Sequence, residues 1–173
     1  GDYSNLYNVI SYIKEAYGNI SISLPSLKIG SLGKEEIGIL GSIARTGLTF
    51  ALEAISPEIR VRINKRIDID GLVGNLSLLR KLGWRRIKLY YMVGFPWEHN
   101  DDLKYIKEFV LPFEKEGIDI VLSLSPFVPK PHTPFQWLSM EDESVFKEKI
   151  FMIKRILKGR RVRLKYRDIN TSI

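Results

Sequence analysis

One pattern constrains this chain more than any other. A short apolar, β-rich run is followed by a turn and an amphipathic helical stretch, and then the same order returns. The apolar runs cover residues 19–24, 48–52, 87–93 and 118–124, and a fifth over 162–166 alternates apolar with basic residues. Between them, apolar side chains recur at three- and four-residue spacing, the period of one helix face. Leu72, Leu76, Leu79 and Leu82 form one stripe, Leu103, Ile106, Val110 and Phe113 a second, and Phe146, Ile150, Ile153 and Leu157 a third. A further helix is predicted over 3–17. Strands and helices in strict alternation argue for parallel βα units and an α/β fold. The middle runs are nearly continuous, the pattern of strands covered on both faces. Local punctuation agrees. Ser56, Pro57 and Glu58 read as N-cap, first helical residue and an acid favoured by the helix dipole. Gly83 follows Leu82 as a stop signal.

A chain of 173 residues suits one domain, 1–173, and no linker divides it. No run approaches the roughly 18 apolar residues of a membrane helix, so no membrane partner is expected. There is no cysteine, hence no disulfide, thiolate metal site or catalytic thiol, and two histidines alone do not make a zinc site. No metal-ligand set and no catalytic residue is assigned. A cytoplasmic location is expected. The net charge of +7 invites an anionic partner.

In parallel βα architectures, ligands sit at the carboxyl ends of the strands. Pro25, Pro57, Pro96 and Pro126 each follow a predicted strand and give its exit a defined path. The first exit offers Ser21, Ser23 and Ser26, either as hydrogen-bonding groups or as a plain turn. At the second, Glu53 ends an apolar strand, where a carboxylate is costly without a partner. It can accept from ribose hydroxyls or a ligand ammonium, or pair with Arg60 or another nearby cation. Lys65 and Arg66 can meet a ligand carboxylate or simply be solvated. At the third exit Val93 and Phe95 can wall a flat ring around Gly94, while Glu98, Asn100, Asp101 and Asp102 read best as the first turn of a helix. The fourth exit, residues 125–137, carries Pro126, Pro129, Pro131 and Pro134. It can present backbone groups to a base edge above Phe127 and Val128, with Phe135 and Trp137 as buried anchors and His132 as a base or ligand.

Together the segments Ser23–Leu27, Leu48–Ala54, Ile63–Lys65, Gly83–Pro96 and Ser125–Trp137 resemble the radical S-adenosylmethionine (radical SAM) superfamily. The branch they look closest to is associated with B12-binding domains and is methylthiotransferase-like. The resemblance implies a partial (β/α) barrel fragment: a curved, mostly parallel sheet of four to five strands with helices on its outer face. It implies SAM as cofactor, with a [4Fe–4S] cluster, and cobalamin where a B12 domain is present, in the parent protein. By the same resemblance Ser23 and Glu53 face the SAM cleft, Lys65 meets the methionyl carboxylate, Val93 packs on adenine, and Phe127 with Val128 supplies a further adenine contact. With no cysteine, the resemblance implies either a fragment, whose cluster ligands are expected in an N-terminal part of the same protein, or a degenerate copy, and in both cases the chain alone is expected to be inactive. The first predicted strand would then expose an edge on which a homodimer could form.

The competing expectation is RNA binding. Lys154, Arg155, Lys158, Arg160, Arg161, Arg163, Lys165 and Arg167 crowd the C-terminal stretch, and Arg85, Arg86 and Lys88 add to them. A solvated helix face beside a charge-protected edge strand accounts for the same residues.

Overall fold

The computed structural model describes residues 5–18, 26–28, 33–41, 47–167 and Ile169. Among these residues five strands form one sheet: β1 (Leu27–Lys28), β2 (Leu48–Ala54), β3 (Arg86–Val93), β4 (Asp119–Pro126) and β5 (Val162–Tyr166). Their spatial order is their sequence order and every pair is parallel. Crossovers that always step the same way return the helices along one face when each has the usual right-handed sense. Among the described strands the order is not reversed, which separates this sheet from a doubly wound one. The topology is that of a partial (β/α) barrel.

The helices are α1 (Leu6–Tyr17), α2 (Lys34–Gly41), α3 (Pro57–Arg62), α4 (Ile69–Gly74), α5 (Leu76–Lys81), α6 (Tyr105–Lys115) and α7 (Glu143–Ile156), with a 3-10 turn at Asn100–Lys104. All three expected stripes face the sheet, Leu82 at their margin and the rest buried in one core with Phe50, Leu52, Leu89, Tyr91, Leu122 and Leu124. The first stripe is carried by two short helices, since the chain turns at Asn75 between α4 and α5.

The expectation that the central strands are covered on both faces is corrected. Burial alternates strictly along β3 and β4: Ile87, Leu89, Tyr91 and Val93, like Ile120, Leu122 and Leu124, are buried against helices. Lys88, Tyr90, Met92, Val121, Ser123 and Ser125 turn to the other face and stay partly exposed. The sequence looks continuous because Tyr90, Met92 and Val121 are apolar or aromatic without being core. Among the described residues helices cover one face only, and the other is open over its centre.

The predicted strand 19–24, with Ser23 and Pro25, lies outside the described residues. The strand found beside β2 is Leu27–Lys28, C-terminal to the predicted run. On its far side no strand pairs with it among the described residues.

Candidate functional site

The carboxyl end of β2 is irregular. Ala51 pairs with Tyr90 and Glu53 with Tyr91, so Leu52 is an extra residue in a β-bulge. The bulge reverses the parity of the strand. Phe50 and Leu52 face the helices, but Ala54 emerges on the open side, in a second cluster with Ile59, Phe95 and Phe127. Glu53 absorbs the distortion at φ +66°, a left-handed backbone that a glutamate adopts only at a cost of about 1 kcal/mol or more. Arg60 pins this corner. Its Nη1 donates to the carbonyls of Ala54 and Ile55, each at 2.9 Å, which satisfies acceptors that the ending strand leaves free. Burial lowers the pKa of that guanidinium and raises that of the Tyr91 phenol beside it.

Glu53 therefore pairs not with Arg60 but with Lys65, Oε1 to Nζ at 3.2 Å. Lys65 lies past the end of α3, where its N–H returns to the Arg60 carbonyl at 2.7 Å and Asn64 is also left-handed, φ +54°. Both side chains reach solvent, Lys65 more than Glu53. Arg66 is exposed.

An aromatic cap closes the same end of the open face. Phe95 and Phe127 stack at 4.6 Å, Phe135 meets Phe127 edge-on at 6.2 Å, and Trp97 meets Phe135 at 6.1 Å. Met92 packs against this cluster from the sheet, and Val128, next in the chain after Phe127, is half-buried. The Phe127 N–H donates to the Val93 carbonyl at 2.8 Å, which ties the exits of β3 and β4. Glu53 and Phe127 lie at the exits of strands two inter-strand spacings apart, about 10 Å across the sheet. Phe127 also stands three residues beyond Leu124, which is level with Glu53, about 10 Å further along the strand direction.

Of the sequence-predicted residues, Glu53 and Lys65 meet as an ion pair at the β2 exit, and Phe127 and Val128 follow the end of β4, two strands over. Val93 does not join them: its side chain is fully buried in the helix-side core, because alternation turns it away from the open face. Met92 occupies the open-face position that Val93 was expected to fill. Trp137, expected as a buried anchor, is 88% exposed, while Phe135 is the anchor. His132 is exposed and left-handed, φ +62°, with its N–H donated to Gln136 Oε1 at 3.2 Å.

The helix-start reading of Glu98 is overturned. Asp102 does that work, accepting from the His99 N–H at 2.9 Å. Glu98 instead turns inward, accepts from the Gly94 N–H at 3.0 Å, and lies 3.1 Å from Nζ of Lys149 on α7. Lys149 also meets Glu141 at 2.6 Å. One buried ammonium thus serves two carboxylates, and Oε2 of each is buried without a hydrogen-bond partner. Desolvation raises the Glu98 pKa, against the pull of Lys149 and of the Gly94 N–H. Gly94 is required here: its φ is +93°, and a Cβ would stand 2.8 Å from Glu141 Oε2. Periodicity could not reveal this cluster, since its members are far apart in sequence. The one local sign was a lysine within the apolar stripe of α7, between Phe146 and Ile150.

The basic C-terminal stretch is partly engaged. Arg160 pairs with Glu114 at 3.2 Å and Arg161 with Asp119 at 2.7 Å, while Lys154 sits 4.7 Å from the Tyr166 ring centre. Among the described residues no group of three His, Asp or Glu side chains could hold a metal ion, and the chain has no cysteine. These residues do not fit an iron–sulfur cluster. No helix among them is long and apolar enough to cross a membrane.

No protein-family model matches the chain. It is 31% identical over all 173 residues to an uncharacterized protein of Methanocaldococcus jannaschii. The chain spans 37% of the length of that relative.

Proposed function

We propose that the rim formed by Glu53, Lys65, Met92, Phe127 and Val128 is the SAM-binding cleft of a radical SAM enzyme, working in the cytoplasm, of which these residues form one part. The observation that carries this reading is the Glu53 corner. A carboxylate is held in a strained left-handed conformation on a bulge, at the carboxyl end of a parallel strand, with a solvent-reaching lysine opposite. Non-glycine residues in such conformations cluster at ligand clamps. An apolar patch with Met92, Phe95 and Phe127 stands at the exits of the next two strands.

In this reading Glu53 accepts from ribose hydroxyls or the methionyl ammonium, Lys65 pairs with the methionyl carboxylate, and Met92 and Val128 exclude water from the base. The resident ion pair keeps both groups poised, and SAM exchanges one pair for two. SAM supplies radical chemistry only with a reductant. The [4Fe–4S] ligands, and any cobalamin site, belong to chain outside these residues, which by themselves bind SAM without cleaving it.

Calorimetric titration of the full chain with SAM tests the cleft. Binding by the wild type, weakened about tenfold or more in Glu53→Ala, is the expected result. Equal affinities in the two proteins would remove Glu53 and with it the cleft. The alternative of RNA binding through the basic C-terminal segment keeps Arg155, Lys158 and Arg167 as exposed cations, but Arg160 and Arg161 already have acidic partners.

A further inference from the structure

The interior face of a closed (β/α) barrel is filled by layers of branched apolar side chains. The open face of this sheet is built differently. Strict alternation and the strand register put Thr49, Lys88, Val121 and Arg163 in one row across β2–β5, and Ala51, Tyr90, Ser123 and Lys165 in the next. Val162 and Leu164 pack on the helix-side core, so Arg163 and Lys165 project to the open side. Two rows of the sheet therefore carry three cations and three hydroxyls and no carboxylate.

Edge protection by charge explains cations on β5, the last strand. It does not explain Lys88. That residue is on β3, the central strand, where an ammonium over a sheet face is unfavourable unless it finds a partner. Its ammonium donates to the Tyr90 hydroxyl and lies 4.3 Å from the Tyr90 ring centre. Among the described residues none of Lys88, Arg163 and Lys165 pairs with a carboxylate, although Glu114, Asp119, Glu98 and Glu141 nearby are all matched to cations. The acids of this region are neutralised, and the open face keeps a positive excess.

We infer that this face binds a small phosphate-bearing substrate, its anionic group held by Lys88, Arg163 and Lys165 with hydroxyls from Tyr90 and Ser123. Arg163 and Lys165 are two residues apart on one strand, about 7 Å, and Lys88 lies about 10 Å away, two strands over. The three cations surround one anionic group rather than trace a long polyanion. The aromatic cap of Phe95, Phe127 and Phe135 closes the carboxyl end of the face, so a ligand seated on the cations extends toward Met92 and the Glu53 rim. This inference deepens the reading of the rim as a cofactor cleft and rests on it for taking the open face as the substrate side.

The test is titration of the full chain with inorganic pyrophosphate and, separately, with SAM. Wild-type protein is expected to bind pyrophosphate with an affinity that falls as salt rises. Arg163→Gln/Lys165→Gln should weaken it about tenfold or more, and Lys88→Gln should do the same. A control, Arg155→Gln/Lys158→Gln, removes as much charge from the helix side and should leave the affinity within about twofold. Circular dichroism and SAM affinity unchanged in the open-face variants would show that the fold and cleft persist. Equal losses in variants and control would overturn the inference, as would absence of pyrophosphate binding, or binding of an RNA hairpin without it. SAM binding that survives such a result leaves the cofactor cleft standing; loss of both readouts in wild type removes the two together.

Discussion

Two carboxylate–lysine pairs stand at neighbouring strand exits and have opposite characters. Glu53 and Lys65, after β2, reach solvent, and the glutamate backbone is strained. Glu98 and Lys149, after β3, are buried with side chains 0% and 3% exposed, on relaxed backbone that borrows its freedom from Gly94. An exposed pair contributes about 0–1 kcal/mol and exchanges partners easily. A buried one contributes little relative to an apolar replacement, yet losing one member leaves an uncompensated charge. The same two residue types thus make an exchangeable ligand site in one place and a fastener in the other. The fastener ties the β3 exit, with Phe95 and Trp97, to α7, and so holds the aromatic cap over the open face.

The largest expected effect lies at the buried pair. Lys149→Met should destabilise the protein by about 3–5 kcal/mol in urea unfolding, because the buried Glu98 carboxylate and the half-buried Glu141 are left without a cation. A loss under 1 kcal/mol would mean that water reaches them.

The next prediction concerns pH. Glu98 holds its proton to higher pH when folded than when unfolded, because burial raises its pKa. In that window the folded state binds more protons, so this group's contribution to stability is complete below the ordinary carboxylate range and declines as pH rises through the raised value. A proton on Glu98 also leaves the Lys149 charge balanced by Glu141 alone. Glu98→Gln should flatten the decline, so that its stability relative to wild type improves with pH. A relative stability that worsens with pH would reverse the assignment and make Glu98 the permanently charged partner.

At the rim the sign should change. Glu53→Gly removes the left-handed strain and should stabilise the fold by about 1 kcal/mol while weakening SAM binding. Destabilisation would show that the side chain serves packing. Smallest of all, Lys65→Met should alter stability by less than about 0.5 kcal/mol, with the change confined to SAM affinity.

Much of the frame was legible in the chain. The strands at 87–93 and 162–166 fall within a residue of those observed, and the three apolar stripes pack on the core as expected, because a helix face and a strand face each leave a local period. Ser56–Pro57 and Leu82–Gly83 mark element ends for the same local reason. Glu53 was legible as a polar residue where a strand stops, Lys65 as a cation at the end of the following helix, and Phe127 and Val128 as apolar residues of the fourth exit.

What the sequence alone determined is therefore the order of elements, their periodic faces and the polar residues at their ends, all consequences of bonds and contacts within a few residues. The tertiary structure decided which face of the sheet stays open, that the Leu52 bulge turns Ala54 outward and strains Glu53, that Val93 yields its place to Met92, and that Lys149 travels 51 residues to meet Glu98. These depend on inter-strand register and on burial against distant elements. Neither leaves a local period, since each is set by which surfaces remain to be covered once the helices have chosen their side.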